Sequence, residues 1–136
     1  GEFHFHGPRP FFPRRAIRDL QFKLIHNPLA GMAKPPGRVD ADPVGSFVND
    51  AKYIDTPSGQ AFQRYLDPPE WELYDLKSDP LEFENLAEIP SMRGELERLR
   101  IALRNWQEET DDPLREEDTF ARFEKLGDEA AERSGR

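Results

Sequence analysis

Residues 71–87 read WELYDLKSDPLEFENLA, and they carry more structural information than any other stretch of the chain. Its first five residues alternate in polarity, with Trp71 and Leu73 on one side, which predicts a short strand with two different faces. Asp79-Pro80 then favours a tight turn, because an Asp side chain can accept a hydrogen bond from the backbone two residues on and Pro presets φ. The stretch therefore predicts a strand, a turn and the approach to a helix.

The strongest helix signal follows directly after this stretch. Five apolar residues recur at alternating spacings of four and three, which places them on one helix face: Met92, Leu96, Leu99, Leu103 and Trp106. We predict a helix over 91–107 with Ser91 as its N-cap. A second, weaker helix is predicted over 114–126, and we expect the residues after Gly127 to fray.

The segment before residue 71 predicts a β-hairpin followed by an irregular region. Residues 15–18 and 22–26 form the arms of the hairpin, and Asn27-Pro28 ends it. Residues 28–69 hold seven prolines and four glycines, so we expect a long Pro-rich loop with one short helix near 59–65. The predicted fold class is α+β: a small antiparallel sheet of three to four strands packed against a C-terminal amphipathic helix.

Charge is distributed unevenly along the chain. The net charge is −8, yet residues 1–38 hold seven Lys or Arg and only two Asp or Glu. This basic third could meet a phosphate or sulfate group, whereas the overall sign disfavours nucleic acid. No apolar run reaches the roughly 18 residues that span a bilayer, so we expect no membrane partner, and we expect no signal peptide. The chain has no cysteine and therefore no disulfide.

The stretch 71–87 resembles the closing motif of many sulfatases and of related hydrolases of the alkaline phosphatase superfamily. That motif runs Glu-Leu-Tyr-Asp-Leu, two variable residues, Asp-Pro, a Glu and then Asn-Leu-Ala, and each of those residues is matched here. We expect a structural role in the turn and strand end for five of the matched residues: Tyr74, Asp75, Asp79, Glu82 and Asn85.

Two further stretches carry the same resemblance. Residues 11–18 (FFPRRAIR) and 22–27 (FKLIHN) are similar to an aromatic-Pro-Met-Arg strand and the lysine strand after it, although Arg14 replaces the usual methionine. Residues 106–113 (WQEETDDP) are similar to an ending found in the N-sulfoglucosamine sulfohydrolase (heparan N-sulfatase) branch. The chain thus resembles the C-terminal subdomain of a sulfatase, closest to that branch. We assign 1–112 to this subdomain, with 28–69 as an irregular excursion, and 113–136 to an acidic helical tail.

The resemblance also implies groups that this chain lacks. Such a sulfatase uses formylglycine, made from a Cys or Ser that precedes Pro and Arg at fixed spacing, and calcium held by acidic residues. The segment 78–82 (SDPLE) has Glu82 where the arginine is required. We expect no cofactor in this chain, with calcium and formylglycine in a missing N-terminal catalytic domain. A hard cation needs about six to eight oxygen ligands, so we expect Asp111-Asp112 to be solvated charge.

Four basic residues are candidates for substrate binding. In the resembled family a histidine just before the aromatic-Pro-Met-Arg strand faces the substrate pocket, and His6 occupies that place. His4 and His6 alone are too few ligands for a zinc site. Arg14, Arg15 and Arg18 could form a basic rim for a sulfated glycan, because guanidinium matches sulfate geometry. The alternative is that these arginines pair with the acidic C-terminal half of the chain.

The resemblance implies a function for a parent protein. We expect a non-catalytic C-terminal part of a sulfatase whose full-length form hydrolyses sulfate esters or N-sulfate groups on sugars. Its partners would be the missing catalytic domain and a sulfated glycan, and the parent would be extracytoplasmic (periplasmic, secreted or lysosomal). Two alternatives stay open: a phosphodiesterase or phosphonate hydrolase of the same superfamily, and an independent glycan-binding module or homodimer. Whether the chain alone is an enzyme is left open.

Overall fold

The computed structural model describes residues 2–3, 13–31 and 52–134, so His4, His6 and most of the Pro-rich loop lie outside the described residues. One antiparallel sheet has the strand order β1-β2-β3-β4, with β1 at Glu2–Phe3, β2 at Arg14–Arg18, β3 at Phe22–His26 and β4 at Trp71–Asp75. The helices are α1 (Pro57–Leu66), α2 (Arg93–Glu109) and α3 (Glu117–Ser134). The predicted α+β class is confirmed.

The centre of the sheet is the β2–β3–β4 ladder. Its register places Leu24 of β3 opposite both Ile17 of β2 and Leu73 of β4. Residues that lie opposite each other share a face of the sheet, so these three side chains point the same way. The strand predicted at 71–75 and the hairpin arm predicted at 22–26 are confirmed, while the other arm begins one residue earlier, at Arg14.

Helix α2 covers the face that carries Leu24. The buried centre consists of Leu24, Leu73 and Leu99, each at most 2% exposed. Burying a leucine side chain contributes about 2 kcal/mol, so this contact is a large part of what holds the helix to the sheet. Seven partly buried apolar residues pack around it: Ile17, Phe22, Trp71, Leu86, Ala87, Met92 and Leu96.

The N-terminus of α2 differs from the prediction. Ser91 was expected to cap a helix over 91–107, but Ser91 lies in a 3-10 turn over Pro90–Met92, and α2 runs from Arg93 to Glu109. The residue at the cap position, Met92, makes no side-chain capping hydrogen bond. Pro90 fits the first position of a helical turn, and the turn continues directly into α2, so the expected serine cap is wrong.

Helix α3 is longer and starts later than predicted. Leu114 lies in a separate 3-10 turn over Pro113–Arg115, and Glu116 has extended backbone angles, so α3 begins only at Glu117. The helix continues to Ser134, and the expectation of fraying after Gly127 is wrong. Residues 128–132 (DEAAE) include good helix formers, which favours this extension. None of the helices in the described ranges is long and apolar enough to cross a membrane.

Helix α1 (Pro57–Leu66) begins two residues before the predicted 59–65 helix and ends one residue after it. Thr56 caps it, because its Oγ1 accepts a hydrogen bond from the Gly59 backbone N–H at 3.1 Å. Gly59 is buried, and a Cβ there would lie 2.0 Å from the Tyr53 carbonyl oxygen. Only glycine therefore allows the chain before α1 to approach so closely.

A buried ion pair joins the first strand of the hairpin to the segment after α2. Arg15 Nε and Nη2 each donate to one oxygen of Asp112 at 2.7 Å, and the two side chains are 3% and 1% exposed. Gln107 Nε2 donates to the same carboxylate at 3.1 Å. The Arg15 guanidinium, followed by the other hydrogen bonds, lowers the pKa of Asp112 from 3.8 to about 2. The expectation of solvated charge is wrong for Asp112, although Asp111 is exposed.

We expect Asp112→Asn to lower the free energy of unfolding by about 3–5 kcal/mol, because it leaves the Arg15 guanidinium buried without its counter-charge. Equilibrium urea unfolding at pH 7 measures this loss. The matched control is Asp111→Asn, which changes the adjacent exposed carboxyl at a left-handed position (φ 51) that asparagine tolerates. Equal midpoints for the two variants would contradict the role given to the pair.

The same pair predicts a pH dependence. The folded pKa of Asp112 is depressed, so its contribution is complete above pH 3.8 and is lost as the pH falls towards about 2. The shift corresponds to about 2 kcal/mol. The difference in unfolding free energy between the wild type and Asp112→Asn should therefore shrink between pH 4 and pH 2, and a constant difference would contradict the assignment.

Candidate functional site

The outer edge of β4 is closed by the side chain of Asn85. Asn85 Oδ1 accepts a hydrogen bond from the Leu73 N–H at 2.9 Å, and Asn85 Nδ2 donates to the Trp71 carbonyl at 3.2 Å. The next residue, Leu86, donates its backbone N–H to the Leu73 carbonyl at 2.8 Å. An amide side chain and one backbone N–H thus take the place of a fifth strand, and the edge groups of buried Leu73 are satisfied.

Two aspartates shape the turn that brings Asn85 to this edge. Asp75 Oδ1 accepts from the Lys77 N–H at 3.0 Å, and Asp79 Oδ2 accepts from the Glu84 N–H at 2.8 Å. The hydrogen bond from Glu84, assisted by other backbone N–H groups of the turn, lowers the pKa of Asp79. Both carboxylates act on the backbone of the turn, as the turn chemistry of the sequence led us to expect.

Glu82 links the same turn to β3. Its backbone is in the left-handed region, with φ 58, which is uncommon for a residue that has a Cβ. Both carboxylate oxygens accept from Lys23 Nζ, at 2.9 and 2.7 Å. The two side chains are about one quarter to one third exposed (26% and 31%), so this is a partly screened ion pair that holds the turn against the sheet.

Tyr74 belongs to a polar network on the face opposite α2. Its hydroxyl donates to Glu72 Oε2, and Asn27 Nδ2 donates to Glu72 Oε1 at 2.8 Å. Arg64 of α1 donates from Nε to the Tyr74 hydroxyl at 3.2 Å and from Nη2 to the Phe83 carbonyl at 2.6 Å. Burial, and then the Glu72 carboxylate, raise the pKa of Tyr74, so the hydroxyl stays protonated and acts as a donor. The network joins α1, β4 and the turn.

The three candidate arginines do not lie together. Arg15 points to the α2 face, where Asp112 binds it. Arg14 and Arg18 point to the opposite face, because successive side chains of a strand alternate. The Arg14 guanidinium carbon lies 5.6 Å from the centroid of the Tyr65 ring of α1, and Arg18 is exposed at the end of β2. A rim of all three on one face is therefore not formed, and substrate binding by them stays a prediction.

The described residues offer no cation site. Within residues 2–3, 13–31 and 52–134, no group of three or more His, Asp or Glu side chains is arranged to hold a metal ion. Asp112, the most buried of the carboxylates near α2, is already bound by Arg15 and Gln107. The donor set of these segments does not fit the calcium that the resemblance implies.

Two proteins with known activities are similar in sequence to this chain. Human N-sulphoglucosamine sulphohydrolase is 34% identical to this chain over 108 residues, which make up 75% of this chain and 21% of that protein. The ulvan-active sulfatase of Formosa agariphila is 36% identical over 95 residues, 68% of this chain and 16% of that protein. The chain is a partial homologue of sulfatases. No family model matches it.

These similarities confirm the resemblance to sulfatases drawn from residues 71–87, and the human relative belongs to the branch that residues 106–113 indicated. The chain spans about one fifth of the length of the human sulfatase and less of the Formosa sulfatase. The stretch on which the resemblance was based is the one that closes the β4 edge, and in this chain its polar residues hold the edge and the turn.

Several residues of this site were missed by sequence reasoning. Glu72 and Asn27 were assigned to an alternating strand and a strand end, and their mutual hydrogen bond joins segments 45 residues apart. Arg64 received no role, although it binds both Tyr74 and Phe83. The available signal was Glu72 itself, because an acidic residue in the middle of a short strand needs a partner if its face is covered.

We expect Asn85→Ala to lower the free energy of unfolding by about 1–3 kcal/mol, because the Leu73 N–H and the Trp71 carbonyl lose their partners. The exposed edge should also promote self-association, which sedimentation velocity detects. Asn105→Ala, on the exposed side of α2, is the matched control for urea unfolding. Indistinguishable stability and sedimentation for the two variants would contradict the edge-closing role.

Proposed function

We propose that this chain is a non-catalytic part of a sulfatase whose complete polypeptide hydrolyses sulfate esters or N-sulfate groups on sugars. The observation that carries the proposal is the 34% identity with human N-sulphoglucosamine sulphohydrolase over 75% of the chain. The Formosa relative, named as an ulvan-active sulfatase, supports the broader class of sulfated-sugar substrates. Both proteins are named as enzymes that remove sulfate.

The chemistry of the chain supports a non-catalytic role. It has no cysteine, and the segment 78–82 that comes nearest to a formylglycine motif is the turn beside β4. Asp79 in that segment binds the Glu84 backbone, and Glu82 binds Lys23, so both are engaged in holding the turn. Formylglycine and calcium would lie in a catalytic part of the polypeptide outside this chain. That catalytic part is the partner we propose for this chain.

We expect the purified chain to release no sulfate from 4-nitrophenyl sulfate or from N-sulfated glucosamine oligosaccharides, whereas the complete gene product releases it from at least one of them. Ion chromatography of free sulfate measures both. Turnover by the chain alone would contradict the non-catalytic role. A complete gene product that cleaves bis(4-nitrophenyl) phosphate or a phosphonate ester but no sulfate would instead place the parent among the related phosphodiesterases or phosphonate hydrolases.

The substrate contacts proposed for the parent are His6, Arg14 and Arg18, with Arg15 acting in the buried pair. Arg14 and Arg18 lie on the same face of β2, opposite α2, where Arg18 is exposed and Arg14 is partly buried beside Tyr65. Each would contribute a hydrogen bond between charged groups, which is worth about 1.5 kcal/mol or more and corresponds to roughly tenfold in affinity.

We expect His6→Ala, Arg14→Ala and Arg18→Ala in the complete gene product each to raise KM for a sulfated sugar, by roughly tenfold for the arginines. Arg104→Ala, an exposed arginine of α2, is the control and should leave KM unchanged. Because these contacts are ionic, binding of a heparin fragment should weaken steeply with salt. Unchanged KM for all three variants would remove this face from the substrate site.

A further inference from the structure

A cluster of three side chains joins the sheet to α2 where β3 ends and β4 begins. His26, the last residue of β3, lies opposite Trp71, the first residue of β4. Their rings stack, with centroids 4.1 Å apart and planes inclined by 10°. The guanidinium carbon of Arg100, on α2, lies 4.6 Å from the centroid of the Trp71 ring. We call His26, Trp71 and Arg100 the tryptophan cluster; its stacking and cation–π contacts both favour the packing of α2 on the sheet.

Two guanidinium groups act on His26. In the β2–β3 ladder His26 lies directly opposite Arg15, so both side chains share the face that α2 covers. The second guanidinium is that of Arg100, which reaches the cluster from α2. A protonated imidazole at this place would therefore be a third positive charge between the strands and the helix.

The carboxylates near the cluster balance this charge only in part. Asp112 is bound by Arg15, and Glu97 accepts from Arg100 Nη1 at 2.8 Å. The carboxylate nearest to the imidazole is that of Glu70, whose Oε1 lies 3.9 Å from His26 Nε2. Because the Glu70 side chain is 63% exposed, water and salt screen its attraction for an imidazolium.

The surroundings of His26 favour its neutral form. Burial is the main cause that lowers the pKa of His26 from its ordinary value of 6.5; Glu70 opposes the shift, and Arg100 and Arg15 add to it. The His26 side chain is still 25% exposed, so a proton can reach the ring without unfolding of the chain. His26 is therefore neutral in the folded chain at pH 7 and can gain a charge in mild acid.

We propose that the tryptophan cluster is an acid-sensitive contact, which holds α2 on the sheet while His26 is neutral and loosens when the imidazole takes up a proton. The new charge faces Arg15 and Arg100 in a partly buried space. Trp71 and Glu70 still attract an imidazolium, so the contact weakens and does not break. The contact belongs to this chain and does not depend on the function proposed for the parent.

The pH range of this effect is separate from that of the buried ion pair. Because the folded pKa of His26 is depressed, its contribution to stability is complete above pH 6.5 and is lost as the pH falls through the folded pKa. Asp112, with a pKa of about 2, stays charged in mild acid, so the Arg15–Asp112 pair remains intact there.

Proton uptake by His26 is measured in this chain by NMR titration of the histidine ring protons, in which the His26 signal is the one missing from His26→Gln. We expect a pKa below 6.5. Arg100→Met removes the charge and keeps an apolar side chain on Trp71, so it should raise this pKa, whereas Glu70→Gln should lower it. Arg93→Met is the matched control, because Arg93 is an exposed arginine two turns earlier in α2, and it should leave the pKa unchanged.

The loosening of α2 is measured by amide hydrogen exchange, with protection factors corrected for the intrinsic effect of pH. Between pH 7.5 and pH 5, we expect the protection of the α2 amides around Arg100 to fall roughly threefold more in the wild type than in His26→Gln, as a partly screened charge interaction allows. The fall in Arg100→Met should also be smaller than in the wild type.

An equal fall in α2 protection in the wild type and in His26→Gln would overturn the proposal. A His26 pKa that Arg100→Met leaves unchanged would overturn it as well, because the helix would then exert no force on the imidazole. If His26→Gln does not fold, the comparison of the wild type with Arg100→Met decides, and an equal fall in these two proteins would contradict the acid-sensitive contact.

Discussion

The structure depends on hydrogen-bond partners for the backbone N–H and carbonyl groups at the outer edge of β4. Leu73 is fully buried, yet its strand is the last of the sheet, so its N–H and carbonyl cannot be left to water or to a fifth strand. Asn85 and Leu86 supply both partners. The turn between β4 and Asn85 must have a defined length and path, and Asp75, Asp79 and Glu82 provide that path.

The two faces of β4 are packed differently, one by apolar side chains and the other by hydrogen-bonded polar side chains. On one face, Leu73 packs in the apolar centre under α2, where burial alone provides the stabilisation. On the other face, Glu72 and Tyr74 form hydrogen bonds to Asn27 and Arg64, where each polar group must find a partner to offset its burial. The Arg15–Asp112 pair then fixes the end of α2 to β2. The stretch that resembles the sulfatase motif thus has a structural role in this chain, because its polar residues hold the turn and close the β4 edge.

The parts of this fold that follow a local rule could be predicted from the sequence. The strand at Trp71–Asp75 follows from alternation, the apolar face of α2 from its spacing, and the turn from Asp79-Pro80. The errors at Ser91 and Leu114 come from short 3-10 turns, which share the proline and capping signals of α-helices. Asp112 was predicted to be solvated because its partner, Arg15, lies 97 residues away, and no local sequence pattern predicts such a contact. Glu72 and Arg64 were missed for the same reason: their roles depend on which elements the fold brings together.

The most direct test of this account is native-state hydrogen exchange at the backbone amide of Leu73. An N–H at the open edge of a sheet exchanges like that of a loop, whereas one bound to Asn85 Oδ1 and buried should exchange only when the structure opens. We expect the Leu73 amide to be protected as strongly as the amides within the β3–β4 ladder, and we expect Asn85→Ala to remove this protection selectively. A Leu73 amide that exchanges at the rate of an exposed loop in the wild type would contradict the closure of the β4 edge by Asn85.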